Sequence, residues 1–153
     1  MGLLDIASSS SAWRGYEYYK NSSVIIKKRI SETEFSGIVR GNNSNHYEVF
    51  IDIEHPRKSH CNCPFANGKR IVCKHQVALY FSAFPKDAEK YYKEIIEYEE
   101  EEQRRQEKLD EKIIAYINSL SKEELRQTLY EVLYDGADWA FERFVSEHID
   151  CEY

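Results

Sequence analysis

Three of the chain's four cysteines fall within the sixteen residues from His60 to His75. They read as Cys61-x-Cys63, nine intervening residues, then Cys73-x-His75. Three thiolates and one imidazole make a complete tetrahedral set for zinc. Side chains at i and i+2 share a face only in extended backbone, so Cys61 and Cys63 point the same way on a strand. Pro64 biases Cys63 towards that conformation. Asn67-Gly68 is turn chemistry that would bring the chain back. Cys73 and His75 would then close the site at the end of a second extended piece. The apolar run Gln76 to Phe84, stopped by Pro85, reads as a short helix. The expected unit is a small hairpin and a helix pinned together by metal.

Other uses of these residues are weaker. Clustered cysteines without a secretion signal indicate metal or redox chemistry rather than structural disulfides. The usual redox pair has two intervening residues, unlike Cys61 and Cys63. Four protein ligands leave zinc no open position for water or substrate, which argues for a structural site. His60 abuts Cys61, but His75 repeats the i, i+2 spacing with Cys73 and is the better fourth ligand. His46, His55 and His148 read as loop, strand-end and helix-surface residues.

With Pro64 after the second cysteine and Lys74 between the last two ligands, the motif resembles the SWIM-type zinc finger. The upstream text, Arg14-Gly15-Tyr16 and Tyr18-Tyr19 followed by strands, is similar to small bacterial proteins that carry this finger. The resemblance covers roughly residues 12 to 85. It implies one structural zinc on Cys61, Cys63, Cys73 and His75. It also implies binding to nucleic acid or to protein, and a nucleic-acid motor as a partner.

The elements that position these ligands are legible as periodicity. Val24 to Ile30, Phe35 to Arg40 and Tyr47 to Ile53 alternate with period two, the last most cleanly. In the first, Val24, Ile26 and Ile30 alternate with Ile25, Lys27 and Arg29; in the last, Tyr47, Val49, Ile51 and Ile53 alternate with Glu48, Phe50 and Asp52. Gly41 to Asn45 is a turn. An antiparallel meander with one buried face follows, with the finger extending or capping it. Ser11 could N-cap a helix running to Tyr19, an assignment that Gly15 weakens. Trp13, Tyr16, Tyr18 and Tyr19 suit core packing better than a base-stacking platform.

After Pro85 the text turns helical. Residues Glu99 to Lys108 contain no apolar side chain and read as an exposed bridge helix. Apolar spacing resumes at Leu109, Ile113, Ile114 and Ile117. Ser121-Lys122-Glu123-Glu124 is a capping box. The stripe Leu125, Leu129, Val132 and Leu133 follows, then Trp139, Phe141, Phe144, Val145 and Ile149. Three amphipathic helices with their own core are expected. Docking or self-association through them is the alternative. Cys151 reads as an incidental free thiol. The fold class is therefore α+β: an antiparallel β-meander with a zinc-pinned ββα finger over residues 1–86, then an acidic bridge helix and C-terminal helices over 87–153.

Charge and composition limit the function. Of 153 residues, 31% are charged and 42% hydrophobic, an ordinary soluble balance. No apolar run approaches a membrane span and Met1 to Ser11 has no basic leader segment, so a cytoplasmic location without membrane contact is expected. Residues 1–86 hold 12 Lys and Arg against 7 Asp and Glu, whereas residues 87–153 hold 9 against 20. The split suggests a basic working surface and an acidic appendage. Arg57, Lys58, Lys69, Arg70 and Lys74 surround the ligands in sequence and are the expected nucleic-acid contacts, with DNA ahead of RNA. No glycine-rich phosphate loop, G-x-S-x-G or H-E-x-x-H is present. The expected function is a non-enzymatic zinc-binding interaction module. Its rivals are a protein adaptor for a nucleic-acid motor, a zinc-dependent enzyme and a redox-switched protein.

Overall fold

The computed structural model describes residues 2–42 and 45–149, which leaves Cys151 outside the described residues. The chain divides into two compact units, residues 1–96 and 97–153.

The first unit is built on a four-stranded antiparallel sheet, β1 (Val24–Arg29), β2 (Glu34–Arg40), β3 (His46–Asp52) and β4 (His60–Cys61), in the order β1-β2-β3-β4. Period two does its expected work in β2 and β3. Phe35, Gly37 and Val39, with Val49 and Ile51, face inwards and are buried. Strand β1 departs from the expected alternation. A register shift between Val24 and Ile26 pairs Ile26 with Ile38 and Lys27 with Gly37. One extra residue reverses which face the side chains take, so Ile26 is left 51% exposed. Lys27 reaches Ser82 and donates to its carbonyl at 2.7 Å.

Three helices cover the sheet's inner side and end. Helix α1 (Leu3–Ile6) contributes buried Leu3. Helix α2 (Ser9–Lys20) packs on α3 (Lys74–Ala83), and α3 packs on the sheet. The N-cap of α2 is Ser8, not Ser11; the Ser8 side chain accepts from the Ser11 N–H at 3.2 Å, and Ser11 itself is buried. Gly15 lies mid-helix because the packing requires it. A Cβ there would sit 2.4 Å from Val77 Cβ and 2.9 Å from the Lys74 carbonyl. The helical cost of glycine is offset by the close approach it permits.

The core sits under α3. Val77, Ala78, Leu79 and Phe81 are fully enclosed. Tyr16 stacks on Tyr92 with ring centres 5.2 Å apart and meets Phe81 edge-on at 6.0 Å. The N-terminal aromatics thus serve packing, as expected, although Trp13 remains partly exposed.

Helix α4 (Pro85–Ser119) is one continuous element of 35 residues. The bridge and the helix expected from Leu109 are a single helix. The Glu-rich segment is fully exposed and held by local pairs such as Arg105–Glu102 at 2.6 Å.

Within the second unit, α5 (Lys122–Tyr134) begins at the expected capping box. The Ser121 N–H donates to Glu124 Oε2 at 2.8 Å, and the Glu124 N–H donates to Ser121 Oγ at 3.3 Å. This pairing holds the Glu124 carboxyl below its ordinary range. Helices α5 and α6 (Asp138–His148) pack on each other. The expected self-contained core is not formed among the described residues. Neither helix has a buried side chain, and Trp139 and Tyr134 are 67% and 68% exposed. The stripes are real, but two short helices give each apolar face only one edge to cover.

Candidate metal centre

Each ligand is delivered by a different local device. Strand β4 pairs with β3 at Val49↔Cys61 and Phe50↔His60, which places Cys61 on the buried face of the sheet. Its position depends on the turn that follows β3. Asp52 is buried and its Oδ1 accepts from the Glu54 and His55 N–H groups at 3.0 and 2.8 Å. The Asp52 N–H in turn donates to Ser59 Oγ at 3.0 Å. Asp52, expected on the open face, instead fastens the Pro56–Lys58 turn that leads into β4.

Cys63 follows within a tight turn, where Ala66 and Asn67 donate N–H groups to the Cys63 carbonyl at 3.1 and 2.9 Å. Gly68 takes φ +71° in the continuation of this loop. The expected second extended piece does not pair: residues 71–73 have no strand partner, and Cys73 is the N-cap of α3. The second half of the motif is therefore a helix start rather than a hairpin arm. The Cys73 N–H donates to Gln76 Oε1 at 2.8 Å, closing a capping box. His75 then lies in the first helical turn.

These devices converge. The ligand atoms of Cys61, Cys63, Cys73 and His75 all lie within 4.8 Å of one another. His75 Nδ1 is 3.8 Å from both Cys61 Sγ and Cys73 Sγ. Two sulfurs bound to zinc at about 2.3 Å in a tetrahedron would stand roughly 3.8 Å apart, so the spacing suits one ion. All four residues are buried, His75 at 4% exposure being the most accessible.

The electrostatics point the same way. Each sulfur has a backbone N–H beside it, from Cys63 for Cys61, Ala66 for Cys63 and Gln76 for Cys73. Such donors stabilise thiolate. The Cys61 thiol, donating to Cys73, holds Cys73 down at about 4, with help from His75 and Gln76. Cys61 is pushed up, first by that same hydrogen bond and then by burial. Burial, then the charge on Cys73, raises Cys63. Protein groups alone therefore hold one thiolate, and a dication is what would settle all three.

Residues 47–84 match the family model of the SWIM zinc finger. This stretch of the chain is similar to the SWIM zinc finger. No curated protein and no solved structure matches the chain. The Cys3His set of the SWIM finger is consistent with one structural zinc, for which Cys61, Cys63, Cys73 and His75 supply every ligand. His60 stands apart from this group, exposed and stacked on Phe50 with ring centres 5.0 Å apart.

The basic residues near the SWIM finger divide. Arg57 and Lys58 occupy the exposed turn before β4, and Lys69 and Arg70 the exposed loop before α3. Lys74 is half-buried at the start of α3, where its Nζ donates to Tyr18 Oη at 2.6 Å and lies 4.2 Å from the Tyr18 ring centre. Tyr18 Oη donates onward to Asn42 Oδ1 at 2.7 Å. Lys74 lines a cleft of about 350 Å³ beside the metal ligands, together with Arg14, Ser8 and Ser10 of the N-terminal segment. Tyr47 and Phe65 line it too. Sequence reasoning singled out Lys74 but not Arg14 or Phe65, since only folding brings residues 8–14 to the finger. No helix is long and apolar enough to cross a membrane among the described residues.

Proposed function

We propose that the protein is a non-enzymatic nucleic-acid-binding module, acting on DNA before RNA, whose zinc is structural. The observation that carries this reading is the closure of the metal centre. Four buried protein side chains supply a complete ligand set. A zinc held that way has no open position at which to activate water or polarise a substrate. Its work is to fix Cys61, Cys63 and the start of α3, and so the surface around them. That surface is cationic: Arg57, Lys58, Lys69 and Arg70 are all exposed on the finger. Exposed Lys and Arg are the usual partners of phosphate, with affinity that falls as salt rises.

The test is metal content and binding together. Protein purified without added metal should carry one zinc per chain and bind labelled DNA with a clear salt dependence. Cys73→Ser should lose both properties. Zinc-loaded protein that binds no DNA or RNA at low salt would overturn the reading.

A second reading is favoured by the exposed apolar side chains of α5 and α6, among them Leu129, Tyr130, Tyr134 and Trp139. On this reading the C-terminal unit docks on protein, either a second copy of the chain or a nucleic-acid motor. Light scattering of the full chain would separate self-association from a monomer that needs another partner.

A further inference from the structure

We propose that the cleft beside the metal centre seats one phosphate and one base of single-stranded nucleic acid. This rests on the reading of the protein as a nucleic-acid module and assigns its contact point. Three observations converge there. First, two cationic side chains, Arg14 and Lys74, line the cleft, and the structure pairs neither with a carboxylate among the described residues. Lys74 is held in place by the chain Lys74–Tyr18–Asn42, so its charge is fixed at the rim. Second, residues of the first turns of both α2 and α3 line it, and helix starts favour anions. Third, Phe65 is 57% exposed at the same cleft, an apolar ring with no core to fill.

Cations with an open ring suit a strand whose bases are free to stack. The volume, about 350 Å³, is at the small end of ligand sites. A duplex keeps its bases stacked and offers only their edges, so it cannot place a base in such a concavity without unstacking it. The four exposed basic residues Arg57, Lys58, Lys69 and Arg70 do not line the cleft. They would add general attraction rather than the seat.

The experiment is fluorescence anisotropy on the full-length, zinc-loaded chain with a labelled single-stranded DNA, competed by the matching duplex, a nucleoside monophosphate and inorganic phosphate. Single strand is expected to bind at least about tenfold tighter than duplex. Phe65→Ala should weaken it by about five- to a hundredfold, in line with loss of one stacked base. Arg14→Gln should weaken it and reduce the slope of log affinity against log salt by about 0.7, one phosphate's share, and Arg14→Lys should restore that slope. Both side chains are exposed, and zinc content with circular dichroism verifies that the variants are folded.

Strand binding that ignores Phe65→Ala and Arg14→Gln, or that vanishes instead when Arg57, Lys58, Lys69 and Arg70 are changed to Gln, would remove the cleft and leave the nucleic-acid reading standing. Absence of any strand binding at low salt would overturn both. If in that case the monophosphate still shifted amide resonances of the wild type around Lys74, and not those of Arg14→Gln, the cleft would be a site for a free nucleotide.

Discussion

The two units of this chain solve the problem of a small core in opposite ways. In residues 1–96 helix α3 buries most of its side chains, with Val77, Ala78, Leu79 and Phe81 at zero exposure. A four-ligand site ties the edge of the sheet to the start of that helix. In residues 97–153 the stripes are equally apolar in sequence, yet no side chain of α5 or α6 is buried. The difference teaches that amphipathic pattern creates a demand for burial without supplying the surface that meets it.

The largest effect should come from removing zinc. The chain has two tryptophans, Trp13 in the first unit and Trp139 in the second, so each unit carries its own reporter. Chelation should disrupt the first unit, since structural zinc in finger peptides is worth roughly 10–16 kcal/mol at neutral pH. Fluorescence of a Trp139→Phe variant should shift to longer wavelength, whereas that of Trp13→Phe should hardly move. Equal shifts would mean that the two units do not fold separately. Acid should act through the same ligands. Cys73 has a folded value depressed to about 4, so its stabilisation is complete above the ordinary thiol range and is lost as pH falls through about 4. Zinc release, followed with a chromophoric chelator, should increase as pH falls, because protons compete with the metal for three thiolates and an imidazole.

Next comes paired truncation. Leu79→Ala in the enclosed helix should cost about 2–5 kcal/mol in denaturant unfolding. Leu129→Ala, at a position 47% exposed, should cost under about 0.5 kcal/mol in the isolated chain. A large, concentration-dependent loss at Leu129 would instead show that the face is covered by a second copy. Gly15→Ala tests the close approach of α2 and α3. The added methyl must displace Val77 or the Lys74 backbone, which should cost about 1–3 kcal/mol and lower Tm, although alanine is the better helix former. Ser121→Ala should have the smallest effect, about 1 kcal/mol from the loss of the α5 cap, visible as reduced helicity of the second unit.

Much of the site was legible without coordinates, and the reasons are local. Ligand identity followed from residue type and the i, i+2 spacings, and the strands from uninterrupted alternation in β2 and β3. Alternation misled where a bulge intervened, as at Ile26, because one unpaired residue reverses the face without leaving a trace in composition. It misled again at Asp52, whose carboxylate is buried to bind the Glu54 and His55 N–H groups rather than exposed with its neighbours in the pattern. Gly15 looked like a weak point in a helix when its role is set by a partner sixty-two positions away, at Val77.

The sequence by itself determined the donor set, the α+β class and the helix start at Ser121, since each is encoded within a few neighbouring residues. The tertiary structure decided the rest: that Cys73 caps a helix, that Arg14 and Phe65 meet at one cleft with Lys74, and that the C-terminal stripes remain open. Those outcomes depend on which distant surfaces come together. Burial and desolvation are properties of that assembled surface, and no short stretch of chain contains them.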